Sequence, residues 1–408
     1  MNTRRAFIVF AFVVSLCVCA LLFLNPATVS SIAAYAFIRR GNIKTILYWN
    51  QFSGDYSFYL GEGYVAQNCP RFNNCFATHS RFIQSVDSFD AIVFHHGIHD
   101  ELTYRDLPTS RRPEQKYVFV ALKSPANQYI SNRFNNLFNA TMTYQLNSDI
   151  IWTYADMIDL AEEQMVAVPS RTEFKWKTID SGYEEKDIVE ELEEEQLIRK
   201  IIAKRKLAVW YRNNCETPSN RENYVAELEK YAPIDKYGKC SDDSTNCLKD
   251  ADCFKTHVEP NYFFYLAFED SLCDDYVTET LYNALKYNVV PVVYGGANYN
   301  RFAPPKSYVN ALDFNTPNDL AEYLAYLSHN VSEYKKYFDW KKQYRVASSR
   351  QRIICDLCEM LNTDYQKRSY DISDWYGMKR CPLQHQLTKQ ISSGGSNYAT
   401  KKTLYLQR

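Results

Sequence analysis

The residues best placed to do chemistry lie between Tyr262 and Phe314, YFFYLAFEDSLCDDYVTETLYNALKYNVVPVVYGGANYNRFAPPKSYVNALDF. Apolar runs alternate there with a polar loop, an amphipathic stretch and a Gly-Gly pair. That order predicts strand, loop, helix, strand, turn and strand. In a doubly wound sheet, ligands collect beyond the carboxyl ends of the strands, which puts the Glu269 loop and the Gly295-Gly296 turn on one crevice. Glycines there let the backbone come close to a ligand. A helix beginning near Tyr276 turns free N–H groups toward a diphosphate. Read from its residues alone, the block is a nucleotide site, and the plainer alternative is a βαβ unit of the core.

Other groups invite a chemical reading. His95 and His96 close the apolar run Ala91–His96, and an imidazole titrates near neutrality, so either could take a proton at a strand end. His79, His99 and His257 have no such setting. Asp250-Ala251-Asp252 has a D-x-D look, but it sits in a Cys-rich insert between Cys247 and Cys253 rather than at a strand end. Cys355-x-x-Cys358 admits a redox pair or half a zinc site, yet no second CxxC or His pair stands at zinc spacing. No metal site is expected.

The elements that must position these residues form two series. Ile46–Phe52, Ala91–His96, Lys116–Leu122 and Asp149–Tyr154 read as strands, and a second set follows at Leu207–Tyr211, Tyr262–Phe268, Val289–Tyr294 and Tyr308–Phe314. Amphipathic stretches separate them. Arg221–Tyr231 spaces Tyr224, Leu228 and Tyr231 on one face, Tyr276–Tyr287 is another, and Asp319–Leu327 is opened by the cap pair Thr316-Pro317. Alternating strands and helices imply parallel sheets under helices, hence an α/β protein with two Rossmann-like domains. The expected division is a tail 1–5, a transmembrane segment 6–24, a short stem 25–42, an N-terminal domain 43–183, a linker helix 184–206, a C-terminal domain 207–345 and an extension 346–408. The linker runs from acidic to basic, which complements a helix dipole.

Residues 6–24, AFIVFAFVVSLCVCALLFL, carry no charge and are long enough for a hydrocarbon core of about 30 Å. Arg4 and Arg5 precede the run, so its amino end stays cytosolic and the rest enters a lumen. A cleaved signal peptide is the rival, but its apolar core is shorter. Of 12 Cys, two fall in the span, and the ten beyond it suit disulfides in an oxidising compartment. The sequons at Asn139 and Asn330 agree as glycosylation acceptors. With 47 basic and 48 acidic side chains, a net charge of −1 gives no basic stripe, so no nucleic-acid partner is expected.

The Tyr262–Phe314 block resembles the donor-binding signature of α1,3/4-fucosyltransferases: F-Y-L-x-F-E-N-S, then D-Y-x-T-E-K, then V-P-V-V and F-x-P-P. The similarity extends over nearly the whole chain beyond the stem. Asp90–His96 (DAIVFHH), Phe138–Ile150 (FNATMTYQLNSDI), Trp210, Asn214-Cys215, Arg221, Asp235-x-Tyr237-Gly238 and Cys355-Asp356-Leu357-Cys358 follow the family's order. The resemblance implies a GT-B fold in a Golgi cisterna membrane, single-pass and type II. GDP-fucose would bind the C-terminal half, and an N-acetylglucosamine-containing glycan on a glycoprotein would face the N-terminal half. Fucose would be transferred with inversion and no cofactor. Homodimerisation and stimulation by a divalent cation stay open. Arg221 matches the diphosphate-binding arginine. Glu269, Tyr276, Glu279, Thr280, Gly295 and Gly296 fall on the donor motifs. Cys69 and Cys75 match N-terminal cysteines that pair with each other or with Cys355 and Cys358; the sequence leaves this open.

Two departures bear on catalysis. Lys123 of Leu122-Lys123-Ser124-Pro125 stands where the family's E-S-P motif carries the proposed base, and an ammonium cannot accept a proton. Thr280 replaces the lysine after T-E. Asn213, Gln145 and Asp270 are smaller changes, Asp270 replacing the Asn of F-E-N. His95 and His96 are the candidate substitute bases. The alternative function is a catalytically impaired protein that binds glycans or partners through the same fold.

Overall fold

The computed structural model describes residues 42–97, 102–162, 164–165, 176–177, 188–241, 253–363, 368–401 and 403. The expected tail, transmembrane segment and most of the stem lie outside them, as do His99, Asp250-Ala251-Asp252 and part of the acidic linker. Among the described residues no helix is long and apolar enough to cross a membrane. Two compact units divide the chain. One holds Met1–His95, Asp100–Val118 and Ile354–Gln366; the other holds His96–His99, Phe119–Ile353 and Lys367–Arg408.

In the first unit, β1 (Lys44–Tyr48) pairs in parallel with β2 (Cys75–Thr78) on one side and β3 (Ala91–His95) on the other. These strands are almost wholly buried, as unbroken apolar runs in parallel sheets are. Asp90 fixes the start of the sheet by accepting from Thr45 N (2.8 Å) and Thr45 Oγ1 (3.1 Å). The helix Arg350–Asn362 supplies Cys355 and Cys358, which bond to Cys69 and Cys75. The CxxC pair is therefore neither a redox couple nor half a metal site, because each thiol is consumed by a different partner. The chain passes into the second unit within β4 (Lys116–Ala121).

The second unit centres on a parallel sheet of order β10-β9-β11-β12-β13, made of β9 (Lys206–Tyr211), β10 (Ile234–Tyr237), β11 (Tyr262–Phe268), β12 (Val290–Tyr294) and β13 (Val309–Asn310). The helix Pro317–His329 has the anticipated start: Thr316 and Asp319 form a capping box. It buries Leu320, Leu324 and Leu327 in the core with Trp210, Leu228 and Leu266. Short parallel strands β5 (Ala140–Thr143) and β6 (Ile150–Ile151) belong to the same unit. So does an antiparallel trio that the sequence reading lacked: β7 (Asp156–Asp159), β8 (Gln164–Met165) and β14 (Tyr344–Ala347).

Several expected elements are shorter than their patterns, and Asp149–Tyr154 keeps only Ile150–Ile151 as strand. The Arg221 helix stops at Leu228, and Tyr231 is exposed rather than on the buried face. Turns over 229–231 lead to Pro233, which disfavours helical geometry at Ala232 and keeps the helix from running on. The Tyr276–Tyr287 helix spans only Glu279–Leu285, preceded by Asp275 at φ +58°. Tyr308–Phe314 yields two strand residues, because the Asn310 side chain accepts from Leu312 N and turns the chain into a 3₁₀ turn.

Candidate active site

From β9 the chain moves to one edge through β10, then returns past β9 to build β11, β12 and β13 on the other side. The order reverses between β9 and β11, and a crevice opens at their carboxyl ends, where α/β sheets bind ligands. Arg212 follows β9, Glu269 and Asp270 follow β11, and Arg221 begins the helix Arg221–Leu228. Arg221 Nη1 donates to the carbonyl of Phe268, the last residue of β11. Its Nε stands 3.5 Å from Glu222, and its guanidinium lies 5.9 Å from the Trp210 ring, which Arg212 approaches at 4.7 Å. Two cations therefore flank one indole at the reversal. Arg212 escaped sequence reasoning; its only signal is its place directly after the run KLAVWY.

The loop after β11 is braced by the segment before Arg221. Ser219 N donates to Asp270 O (3.0 Å) and Ser219 Oγ donates to Glu269 O (2.8 Å). The Glu269 side chain is 1% exposed and accepts from Thr278 N (2.8 Å) and Thr278 Oγ1 (2.9 Å). Thr280 Oγ1 lies 3.1 Å from Thr278 Oγ1, and either hydroxyl can donate to the other. Glu279 is exposed on the first turn of its helix. The Thr278 N–H is taken by Glu269 and so is not offered to a diphosphate at that helix start. Tyr276 is fully buried against Tyr144 (5.0 Å), and its hydroxyl has no hydrogen-bond partner among the described residues.

The glycine pair has a different purpose from the expected one. A Cβ on Gly295 would meet Tyr299 Oη at 2.2 Å, and one on Gly296 would meet the Leu272 and Cys273 backbone at 2.5–2.8 Å. The protein itself fills the space, so the pair lets β12 turn beneath the Asp270–Cys273 loop rather than beneath a ligand.

Burial pushes Glu269 from 4.5 up to about 8, with Asp270 and Glu279 adding to the rise and Thr278 opposing it. The folded protein holds a proton that the unfolded chain releases above about 4.5. Its contribution to stability is therefore complete below that pH and is lost as pH climbs toward 8. In Glu269→Gln, the fall in Tm between about pH 5 and 8 should shrink, since each unit of pKa shift is worth ~1.4 kcal/mol. A variant whose Tm falls as steeply as the parent's would show that Glu269 stays ionised. Asp274 rises to about 6 through burial and its neighbour Asp275, so some slope will persist.

Lys123 follows β4 and lies 3.9 Å from Asp270 Oδ2. Its carbonyl accepts from Tyr376 Oη, and Tyr376 Oη also stands 3.4 Å from Ala121 O. Asn127, unforeseen although it closes the Ser124-Pro125-Ala126-Asn127 turn, donates to Asp270 Oδ1 at 2.6 Å. Ser271 Oγ reaches Ser124 Oγ at 2.6 Å. The ends of β4 and β11 are thus laced together by side chains.

His95 and His96 are buried, contrary to a role as accessible bases. Within the first unit, His95 stacks on Phe52 (4.2 Å) with Nδ1 on Gln51 O (3.1 Å); in the second, His96 Nε2 binds Tyr129 O (3.1 Å). A ring nitrogen bound to a carbonyl is a donor, so those atoms already carry hydrogens. Asn139 is 3% exposed, which leaves no room for a glycan on the folded chain, whereas Asn330 is half-buried at a helix start. Cys215–Cys240 and Cys273–Cys381 are further disulfides. Among the described residues no three His, Cys, Asp or Glu side chains group to hold a metal ion.

A parallel sheet with cations and carboxylates at its reversal defines an α/β protein with charged groups where such sheets bind ligands. Residues 201–375 match the model of glycosyltransferase family 10 (fucosyltransferase), C-terminal part, and residues 41–155 match that of the fucosyltransferase N-terminal part. Alpha-(1,3)-fucosyltransferase C of Drosophila melanogaster is 34% identical over 357 residues, 84% of this chain and 80% of that protein. Glycoprotein 3-alpha-L-fucosyltransferase A of the same species is 29% identical over 349 residues, 82% and 61% of the two chains. A solved α1,3-fucosyltransferase with GDP-fucose aligns at 16% identity and a TM-score of 0.46, covering 79% of this chain and 91% of that one. The chain belongs to glycosyltransferase family 10 and is a fucosyltransferase.

Proposed function

We propose that the chain moves L-fucose from GDP-fucose to a hydroxyl of an N-acetylglucosamine-containing glycan on glycoproteins, inverting the anomeric carbon. The observation that carries this reading is Arg221 at the β9/β11 reversal, a guanidinium beside the carboxyl ends of both strands. Such a group can neutralise charge on a departing diphosphate. Relatives named for α1,3-fucose transfer, one of them for glycoprotein acceptors, support the donor and the acceptor class. The GT-B arrangement of two Rossmann-like halves goes with the same reading.

The uncharged run 6–24 and the abundant disulfides favour a type II Golgi membrane protein with its catalytic part in the lumen. The purified protein, given GDP-fucose and a panel of glycans, should add one deoxyhexose in α linkage, read by mass and by the anomeric proton. A protein that binds GDP yet yields no fucosylated product on any glycan of the panel would defeat the transferase reading.

A further inference from the structure

We propose that Asp270 is the general base of the transfer and that Lys123 positions it, an inference that rests on the fucosyltransferase reading. Lys123 and Asp270, two of the positions that depart from the family pattern, lie 147 apart in sequence and meet at the ends of β4 and β11, 3.9 Å apart. A carboxylate missing from one strand end is present on the other, with a cation in exchange.

Asp270 is also the carboxylate best disposed to take a proton. Its backbone is pinned by Ser219, and its Oδ1 receives Asn127 at 2.6 Å with Ser271 Oγ at 3.3 Å. Oδ2 faces the half-exposed Lys123 ammonium at a distance beyond a direct hydrogen bond, and the Asp270 side chain keeps 15% exposure. A sugar hydroxyl can reach such an atom. The neighbouring acids are less suited. Glu269 is sealed and holds its proton to about pH 8. Asp275 Oδ2 accepts from Leu146 N (3.1 Å) while Oδ1 faces Arg301 at 4.0 Å. Glu222 is engaged by Thr217 and Arg221. Glu279 points into solvent from its helix.

In the step itself, the acceptor O–H breaks and its proton passes to Asp270 Oδ2. The freed oxygen pair bonds to the fucose anomeric carbon from the face opposite GDP. The bond from that carbon to the β-phosphate oxygen breaks, and its electron pair leaves with GDP. Asp270 then returns the proton to solvent. Lys123 touches neither sugar nor phosphate in this scheme; it aims Oδ2.

The test compares native protein with Asp270→Asn, Lys123→Glu and the double variant Lys123→Glu/Asp270→Asn, measuring kcat, KM, GDP-fucose binding by calorimetry and the pH profile of kcat. Asp270→Asn should lower kcat ~100- to 10,000-fold while donor affinity stays within about threefold, and the acidic limb of the profile should flatten. Lys123→Glu sets two carboxylates face to face, so its kcat should fall and its profile shift. The double variant returns a carboxylate to position 123 and should recover at least ~10-fold over Asp270→Asn, a gain that loss of a merely structural residue would not show. An Asp270→Asn enzyme with kcat within threefold of native overturns the base assignment alone. Native protein that binds GDP-fucose but transfers nothing overturns the transferase reading, and the role of Asp270 with it.

Discussion

Arg221→Ala should lower kcat/KM for GDP-fucose ~100- to 1000-fold, the usual cost of removing a donor aimed at developing negative charge in a sheltered site. One arm of the guanidinium bonds the Phe268 carbonyl, and its Nε has no hydrogen bond although Glu222 lies 3.5 Å away. The arm on Phe268 fixes the plane and Nε is sealed against Glu222, so an anion would meet the Nη2 side of the group. Because the side chain is only 12% exposed, little solvent screens it. Arg221→Lys separates the two duties: it keeps a charge but cannot hold the carbonyl and present a second donor in one plane. Its activity should fall between native and Arg221→Ala, with the inhibition constant for GDP rising in parallel. Steady-state kinetics with GDP as competitor decides the matter, and an Arg221→Ala enzyme whose GDP affinity is unchanged would remove the diphosphate from this residue.

Gly296→Ala should be the most damaging small substitution in the site, costing ~3 kcal/mol or more as overpacking against a rigid wall. The added carbon would sit 2.5 Å from Leu272 C and 2.7 Å from Cys273 N, both main-chain atoms. Neither can retreat. Cys273 is bonded to Cys381, and Leu272 exchanges hydrogen bonds with Gln384, whose Oε1 accepts from Leu272 N (3.1 Å) and whose N–H reaches Leu272 O (3.2 Å). Strain must then pass to the Asp270–Ser271 corner, so activity should fall with stability. Gly295→Ala is the control. Its Cβ meets side-chain atoms only, Tyr299 Oη at 2.2 Å and Glu269 Cγ at 3.2 Å, and a side chain, even the buried Tyr299, can shift where a bonded main chain cannot, so denaturant unfolding should show a smaller loss. Equal losses at the two positions would mean that the Leu272–Cys273 backbone is not the obstacle.

The sequence made the scaffold readable where one physical signal dominates. YFFYLAF and VPVVY are buried on both faces and read as central parallel strands, and Thr316-Pro317 starts a helix because a cap and a fixed φ both act locally. The block around Glu269 could be placed at strand ends for the same reason. Its chemistry was harder to see. That Thr278 takes both Glu269 oxygens, that the glycines clear room for protein rather than ligand, and that Lys123 meets Asp270 are all facts of tertiary contact. No periodicity encodes them. Lys123 read alone suggests an impaired catalyst, but in the fold its ammonium faces the Asp270 carboxylate at 3.9 Å.

The bonds from Cys69 and Cys75 to the Arg350–Asn362 helix bear on how the protein is made. Cys75 and Cys358 are separated by 283 positions. With translation at ~5–20 residues per second, the first thiol waits about 15 to 60 s for its partner to emerge. Meanwhile Cys215, Cys240 and Cys273 appear ahead of it as available wrong partners. The first unit therefore cannot be closed in the order in which it is synthesised, and its completion awaits the last stretch of the polypeptide. A chain released early would carry its opening strands unsealed, with reactive sulfur exposed to whatever oxidant or isomerase attends its birth.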